Sequence, residues 1–525
     1  MGYTIVLTSD RATMTDYSGA DWLGFLLCLP HRLVPRPVMY NVLAPKLKVD
    51  EEYRALTPPY PLRKIEAALL AAGFKESEVI ITTPEYLHKV ITDDTEVVGV
   101  HVLDPLGKAP VSYTLASLAG GGETCTQYLF MKLMNKLRKL KHRYRFKIIV
   151  GGPGTWQLKE VYTKIGIDAL IHGEGELLFP EICKKVLSGE EISGEFYAPT
   201  VPVDKIPTIR GPSRNGLVQI TRGCPRRCAF CNPTMFDFRS IPLPQILREV
   251  EVNVRAGIRG IGLVTEDGFL YGANGIRVNV DAVKRLVDSI AKLTRNVGFC
   301  HVSISSILQA PNLVKYITEV WEYSEDKPYI PQVGIETGSP KLISIHMGGK
   351  PRPWTPDDWP WMCVEATKIM NDNCWYPCYT MILGLPGEEE SDVVATVELV
   401  DELKGTKCWL FPLLMVPMGL SRLEREKFFT LNFFTDTHWE LLARCIEHDI
   451  SFTNWILPRL LDRLSSGVAR KLVERFINLG LKTMKDVVQL IRSNPEKLIE
   501  EASKVDVNVP SPRILLNLVW LLIRR

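Results

Sequence analysis

The chain has 525 residues, 46% hydrophobic and 23% charged, with a formal net charge of +3. That length suggests two to four domains with large cores, and so small a net charge excludes a general attraction to nucleic acid. The N-terminus MGYTIVLTSD has no basic segment leading an apolar one, no uncharged apolar run approaches the ~20 residues of a membrane span, and twelve cysteines without a secretory signal read as reduced cytoplasmic thiols.

Hydrophobic patterning divides the sequence into residues 1–205, 206–420 and 421–525. In the first part YTIVLTSD predicts a strand and YPLRKIEAALLAAGF a helix stopped by Gly73. EVVGVHVLD, FKIIVGGPG and DALIHGEGE predict further buried strands. Strands alternating with helices predict an α/β, doubly wound (Rossmann-like) parallel sheet. Ligands of such sheets sit beyond the carboxyl ends of the strands. Those ends carry Gly151, Gly152 and Gly154, then Gly173, Glu174, Gly175 and Glu176. Glycines there admit a ligand close to the backbone, and tight turns would also require them. The stretch from Lys132 to Lys147 has many cations and no acid. It suits a solvated helix face or a surface for phosphates or an anionic membrane.

The second part repeats the alternation with LVQIT, GIGLVTED, FCHVSIS, PQVGIETGS, CYTMILGLP and CWLFPLLMVP as strands. Six such units predict a partial (β/α)6 barrel, with its chemistry at the C-terminal ends of the strands. The polar residues out of pattern fall there. Cys224, Cys228 and Cys231 follow the first strand, and Glu266 and Asp267 end the second. Ser303 and Ser305 lie on the third, Glu336 ends the fourth, and Gly384, Pro386 and Gly387 of GLPGE close the fifth. WTPDDWPWM, from Trp354 to Met362, suits an apolar substrate wall or helix packing. Cys374 and Cys378 read as buried thiols. The third part is predominantly helical and ends in ILLNLVWLLI, Ile514 to Ile523. At ~15 Å this segment is half a bilayer core. It fits a packed final helix or a peripheral membrane contact.

Three cysteines spaced Cys-x3-Cys-x2-Cys on one loop aim three thiolates at one small volume. A zinc site would want a fourth Cys or His at matching spacing, and the next histidine is the distant His301. Three ligands on a four-iron cluster leave one iron open, which is where substrate chemistry happens.

The triad, with Phe230 just before its last cysteine and further βα units behind it, resembles the radical S-adenosylmethionine (SAM) enzymes. The resemblance implies a [4Fe-4S] cluster on Cys224, Cys228 and Cys231 and SAM bound by its amino and carboxylate groups to the fourth iron. Reduction, by an electron donor protein, then yields methionine and a 5′-deoxyadenosyl radical. It further implies SAM contacts from Glu266 and Asp267, Ser303 and Ser305, Glu336, and Gly384, Pro386 and Gly387. The N-terminal part resembles the subgroup with a cobalamin-binding domain, which would place cobalamin at Gly151, Gly152, Gly173 and Glu174. There are departures. The loop SDRATMTDYSG lacks the histidine of the subgroup's Asp-x-His-x-x-Gly motif, and His101, Val102 and Leu103 stand where a Ser-x-Leu motif often falls. His101 is then a candidate ligand or a satisfied core residue.

Within the subgroup the chain resembles ring synthases of archaeal tetraether (GDGT) membrane lipids, which implies cyclopentane formation on a hydrophobic lipid substrate. A cobalamin-dependent methyltransferase is the alternative. Methylthiolation of tRNA is disfavoured, because no second cysteine triad lies upstream and no basic RNA-binding module follows. An iron–sulfur carrier or metal-binding interaction protein would leave the acidic and GLPGE motifs unexplained.

Overall fold

In a computed structural model the described residues are 2–17, 21–461 and 467–508. The apolar segment Ile514 to Ile523 lies outside them. The chain forms two compact units, Met1–Arg214 with the segment from Ile499, and Asn215–Leu498.

The first unit is built on six parallel strands: β1 Ile5–Ser9, β2 Val79–Ile81, β3 Val97–His101, β4 Lys147–Gly151, β5 Ala169–His172 and β6 Gly194–Tyr197. Their order is β2-β1-β3-β4-β5-β6. β1, β3, β4 and β5 match the apolar runs of the sequence. They are Val- and Ile-rich because helices cover both faces of a parallel sheet. β2 has three residues and β6 half-buries only alternate ones, so neither gives a long apolar run. Helix α1, Tyr60–Ala71, ends just before Gly73 at φ +99°. Helix α2, Cys125–Tyr144, is capped by Thr124 and buries Leu129, Phe130, Leu133, Met134 and Leu137. The basic stretch therefore is its outer face. Three of its lysines are tethered, Lys132 to the Tyr40 hydroxyl at 2.7 Å, Lys136 to the Pro84 carbonyl at 2.5 Å and Lys141 to Asp168 at 2.5 Å. Helix α3, Gly175–Leu187, follows β5.

The second unit holds β7 Leu217–Gln219, β8 Ile261–Val264, β9 Val297–Phe299, β10 Gln332–Glu336, β11 Cys378–Leu383 and β12 Trp409–Leu414. β7, β8 and β9 form one parallel sheet and β10, β11 and β12 another. A parallel bridge between His301 and Gln332 continues one into the other. The result is the predicted open arc of six parallel strands in sequence order. The intervening helices are α4 Leu243–Arg255, α5 Val280–Ala291, α6 Ile304–Gln309, α7 Pro311–Trp321, α8 Pro340–Met347, α9 Trp359–Asp372 and α10 Glu390–Glu402. α5 shows why they pack on the arc: Ala282, Val283, Leu286, Val287 and Ile290 make one buried stripe at helical spacing.

The helical part beyond residue 420 is not set apart as a third body. Helix α11, Asp436–Leu461, and α12, Gly467–Ser493, belong to the second unit. Asp449 of α11 accepts the Leu410 N–H at 2.8 Å, and Thr453 accepts the Trp409 indole at 3.0 Å. The segment from Ile499 joins the first unit, where the Ala502 and Val505 carbonyls each accept Arg32 at 2.7 Å. No helix among the described residues is long and apolar enough to cross a membrane.

Candidate cofactor site

The three cysteines sit on the loop that leaves β7 through a short antiparallel pair, Thr221–Arg222 with Arg239–Ser240. Gly223 opens the loop at φ +73°, and a Cβ there would lie 2.5 Å from the carbonyls of Phe236 and Asp237, so only glycine fits. The loop is tied down at many points. Thr234 donates to the Cys228 carbonyl at 3.0 Å and the Cys231 carbonyl at 2.6 Å. The Ala229 N–H reaches the His346 carbonyl at 2.7 Å, and Arg422 donates to the Arg227 carbonyl.

The thiols interact electrostatically with one another. Burial pushes Cys224 up to about 12 and Cys231 well above its usual value; nearby Glu266 and the other two thiols push Cys231 further. As free thiols they are poor nucleophiles at neutral pH, whereas bound iron deprotonates a coordinating thiol outright. Among the described residues no three His, Cys, Asp or Glu side chains converge on a single-ion site. Zinc requires all its thiolates ~2.3 Å from one ion. A cuboidal cluster takes each thiolate on a different iron. Three thiolates on one loop suit such a cluster, with one iron left open.

The two acids after β8 play different parts. Glu266 is half-buried and makes no hydrogen bond or ion pair with another described residue, yet its charge is felt at Cys231. Its carboxylate is left without a partner among the described residues. Asp267 is 3% exposed and fully engaged. It accepts from Ser303 at 2.5 Å, Ser306 at 2.7 Å and Arg226 at 3.3 Å, and from the Phe269 N–H at 3.2 Å. Ser303 is not on a strand: β9 stops at Phe299, and Ser303 caps α6 by accepting the Ser306 N–H at 3.3 Å. Ser305 is fully buried and donates to the Lys350 carbonyl at 2.8 Å. Asp267, Ser303 and Ser305, expected from the resemblance to face SAM, thus already have partners within the protein. Their polar atoms are satisfied within the protein, because cap and buried-carboxylate chemistry claims them.

Glu336 ends β10 at φ +61°, beside an irregularity in the β10–β11 register. A non-glycine residue held there is a strained position of the kind that clusters at ligand sites. Its carboxylate pairs with Lys350, 8% exposed, whose ammonium also lies over the Phe230 ring at 6.0 Å. Burial lowers the Lys350 pKa, but the Glu336 carboxylate and the Cys228 thiolate more than offset it, and the net direction is up. In the GLPGE turn, Gly384 lies against the Phe429 ring, and its N–H donates to Glu388 at 2.9 Å. The Pro386 carbonyl bonds His346 at 2.7 Å, and a Cβ on Gly387 would meet nothing within 4 Å. Arg226 and Lys350 were not singled out by sequence reasoning. The available signals were a cation inside the triad itself and a lysine directly after the Gly348–Gly349 pair. Trp359, by contrast, is core: its indole donates to the Ile335 carbonyl at 3.0 Å.

In the first unit the strand order reverses at β1 and β3, which defines the ligand crevice of such a sheet. A Cβ on Gly151 would make only ordinary contact with Ile171 at 3.9 Å, whereas one on Gly152 would strike the Val102 carbonyl at 2.5 Å, so close packing of the strand ends requires that glycine. Gly152 and Gly173 have φ +115° and +93°. Glu174 accepts the Val201 N–H at 2.7 Å, so this carboxylate has a structural task. Asp10 caps a short helix by accepting the Thr13 N–H at 3.0 Å, and Ala12 stands where the motif would have histidine. His101 ends β3. Burial and the nearby Arg214 guanidinium lower its pKa to about 4, which leaves a neutral imidazole capable of ligation. The positive-φ glycines at the strand ends and this neutral imidazole fit cobalamin, while the usual axial ligand is missing.

A depressed histidine has a consequence for stability. Below pH 6.5 the unfolded imidazole takes up a proton that the folded one refuses until about pH 4. Stability is therefore lost as pH falls through that window. Urea unfolding at pH 7 and pH 5 should show a smaller pH dependence in His101→Gln than in the parent, and equal dependence would mean the imidazole titrates freely.

The profile of the Radical SAM superfamily matches residues 218–400. The chain carries a radical SAM domain over these residues, the segment that bears the triad and the first five strands of the arc. A tRNA-2-methylthio-N(6)-dimethylallyladenosine synthase of Magnetococcus marinus is 23% identical over 288 residues, covering 54% of this chain and 63% of the relative. A ribosomal protein uS12 methylthiotransferase RimO of Thermotoga petrophila is 28% identical over 204 residues, covering 37% and 43%. The chain thus spans less than two thirds of these curated relatives. Among solved structures, the radical SAM methyltransferase TsrM of Kitasatospora setae, with cobalamin and a [4Fe-4S] cluster bound, superposes with a TM-score of 0.54 at 15% identity, covering 80% of this chain and 77% of TsrM. At that identity the likeness establishes a common fold.

Proposed function

We propose that this protein is a radical SAM enzyme that methylates an unactivated carbon with the help of cobalamin. The observation that carries the radical SAM part is the tied-down triad with Glu266 left unpaired beside Cys231. When bound, the cluster and SAM supply reductive cleavage of the sulfonium and a radical strong enough to take hydrogen from carbon. The chain's own residues hold and orient. The three cysteines fix the cluster, Glu266 takes the SAM ammonium, Glu336 and the GLPGE turn receive the nucleoside, and burial keeps water from the site. A one-electron donor protein is the partner this chemistry needs. Methyl transfer is favoured over other outcomes by the neutral His101 imidazole at the crevice of the first sheet and by the likeness to methyl- and methylthiotransferases.

One observation favours a second reading, ring closure in a tetraether lipid. Met235 and Phe433, on the loops after β7 and β12, are 53% and 67% exposed, apolar side chains left in solvent on loops at the C-terminal ends of the strands. The two readings separate in a strain lacking the gene. Its extract, given purified protein, SAM and a reductant, should yield S-adenosylhomocysteine along with a newly methylated product. Loss of ringed lipids from that strain, without S-adenosylhomocysteine formation, would replace methylation by ring closure. Neither S-adenosylhomocysteine nor 5′-deoxyadenosine would leave only a carrier.

A further inference from the structure

We propose that Arg226 is a tuning residue for the cluster: a fixed cation, locked inside the ligand loop by Asp267, Ser306 and the Lys350 carbonyl, with its Nε–H left as a donor to cluster sulfur. The inference rests on reading the triad as a cluster site. Arg226 lies between the first two cysteines and is 4% exposed. One terminal nitrogen donates to the Lys350 carbonyl at 3.1 Å, the other to Ser306 at 2.7 Å and Asp267 at 3.3 Å. Three partners on two nitrogens hold the planar fork in one orientation, which a lysine cannot copy. A Cβ on Gly349 would sit 2.2 Å from the Arg226 carbonyl, so the 348–350 turn presses directly on the loop.

Against this full set of contacts one group stands out. The Arg226 Nε–H is buried with no hydrogen-bond partner among the described residues. Buried donors are nearly always paired, and an orphan calls for an absent acceptor. The nearest candidate is the cluster. Both Cys224 and Cys228 feel the Arg226 charge, and the Arg226 backbone N–H already donates to the Cys224 sulfur. Hydrogen bonds to the sulfurs and nearby charge are what set an iron–sulfur potential. Arginine does not deprotonate in proteins, so this contribution is constant with pH. Asp267, which also acts on Cys224, opposes it in sign.

The test is the midpoint potential of the reconstituted cluster, followed by electron paramagnetic resonance without SAM, beside iron and sulfide content. Arg226→Gln should retain iron and move the potential negative. Asp267→Asn should move it positive, and the double variant should fall between them. A purely structural role would lower iron content in both single variants and split their potentials in no such way. Arg226→Lys keeps the charge and loses the Nε donor, so its potential should lie between the parent and Arg226→Gln. An unchanged Arg226→Gln potential, or a shift of the same sign in both single variants, overturns the proposal. If Arg226→Gln takes up no iron, Asp267→Asn decides, and no positive shift there overturns it as well. A parent protein that takes up no iron overturns both this inference and the reading beneath it. One that holds a cluster but cleaves no SAM sinks the radical reading and leaves the tuning result standing.

Discussion

Replacing Cys224, Cys228 and Cys231 together by alanine is expected to abolish iron loading and, with it, all SAM cleavage. The three cysteines, Cys228 buried and Cys224 and Cys231 half-buried, share one tied loop, and no group of three metal-ligating side chains is found elsewhere among the described residues. The substitution removes thiols and adds no charge, and the loop keeps its backbone bonds to His346, Thr234 and Arg422. The variant should therefore stay folded, with its visible absorbance gone and its far-ultraviolet circular dichroism unchanged. A variant that still cleaves SAM would show that the cluster, if any, sits elsewhere.

Glu336→Ala should be the most damaging single change outside the triad, and for two separable reasons. It strands the Lys350 ammonium, 8% exposed, without its carboxylate. Breaking a buried pair in this way costs about 3–5 kcal/mol, or a fall in Tm on the order of 10 °C. It also removes a proposed SAM contact. A lost charge-assisted hydrogen bond costs about 1.5–3 kcal/mol, roughly 10–150-fold in affinity. Glu336→Gln separates the two effects, because the amide oxygen still accepts from Lys350 at reduced strength. It should retain iron and most of the stability while binding SAM more weakly in equilibrium dialysis. Undiminished SAM affinity in the glutamine variant would remove Glu336 from the site.

What the sequence makes legible here is whatever is local or periodic. The buried strands announce themselves as Val- and Ile-rich runs because both faces of a parallel sheet are covered. The triad is three residues on one loop, and its spacing is its meaning. The parts that stay hidden depend on contacts between distant segments. Arg226 gains its role from Asp267 and from a carbonyl at position 350, and Lys350 gains its role from Glu336. No periodicity encodes such pairings. Glu266 and Asp267 are adjacent acids, and only the fold leaves one free and buries the other under Ser303, Ser306 and Arg226. Ser303 looked like a strand residue, but a serine that can cap a helix favours the cap over the strand. The helical region after residue 420 reads as separate until Asp449 and Thr453 are seen bonded to the last barrel strand.

The central claim is that the triad, with Glu266 beside it, supports reductive cleavage of SAM. Anaerobically reconstituted protein, given SAM and a strong reductant, should release 5′-deoxyadenosine and methionine in equal amounts, and Glu266→Gln should raise the SAM concentration needed while leaving iron content unchanged. Iron-loaded, reduced protein that binds SAM and yet releases no 5′-deoxyadenosine would contradict the account.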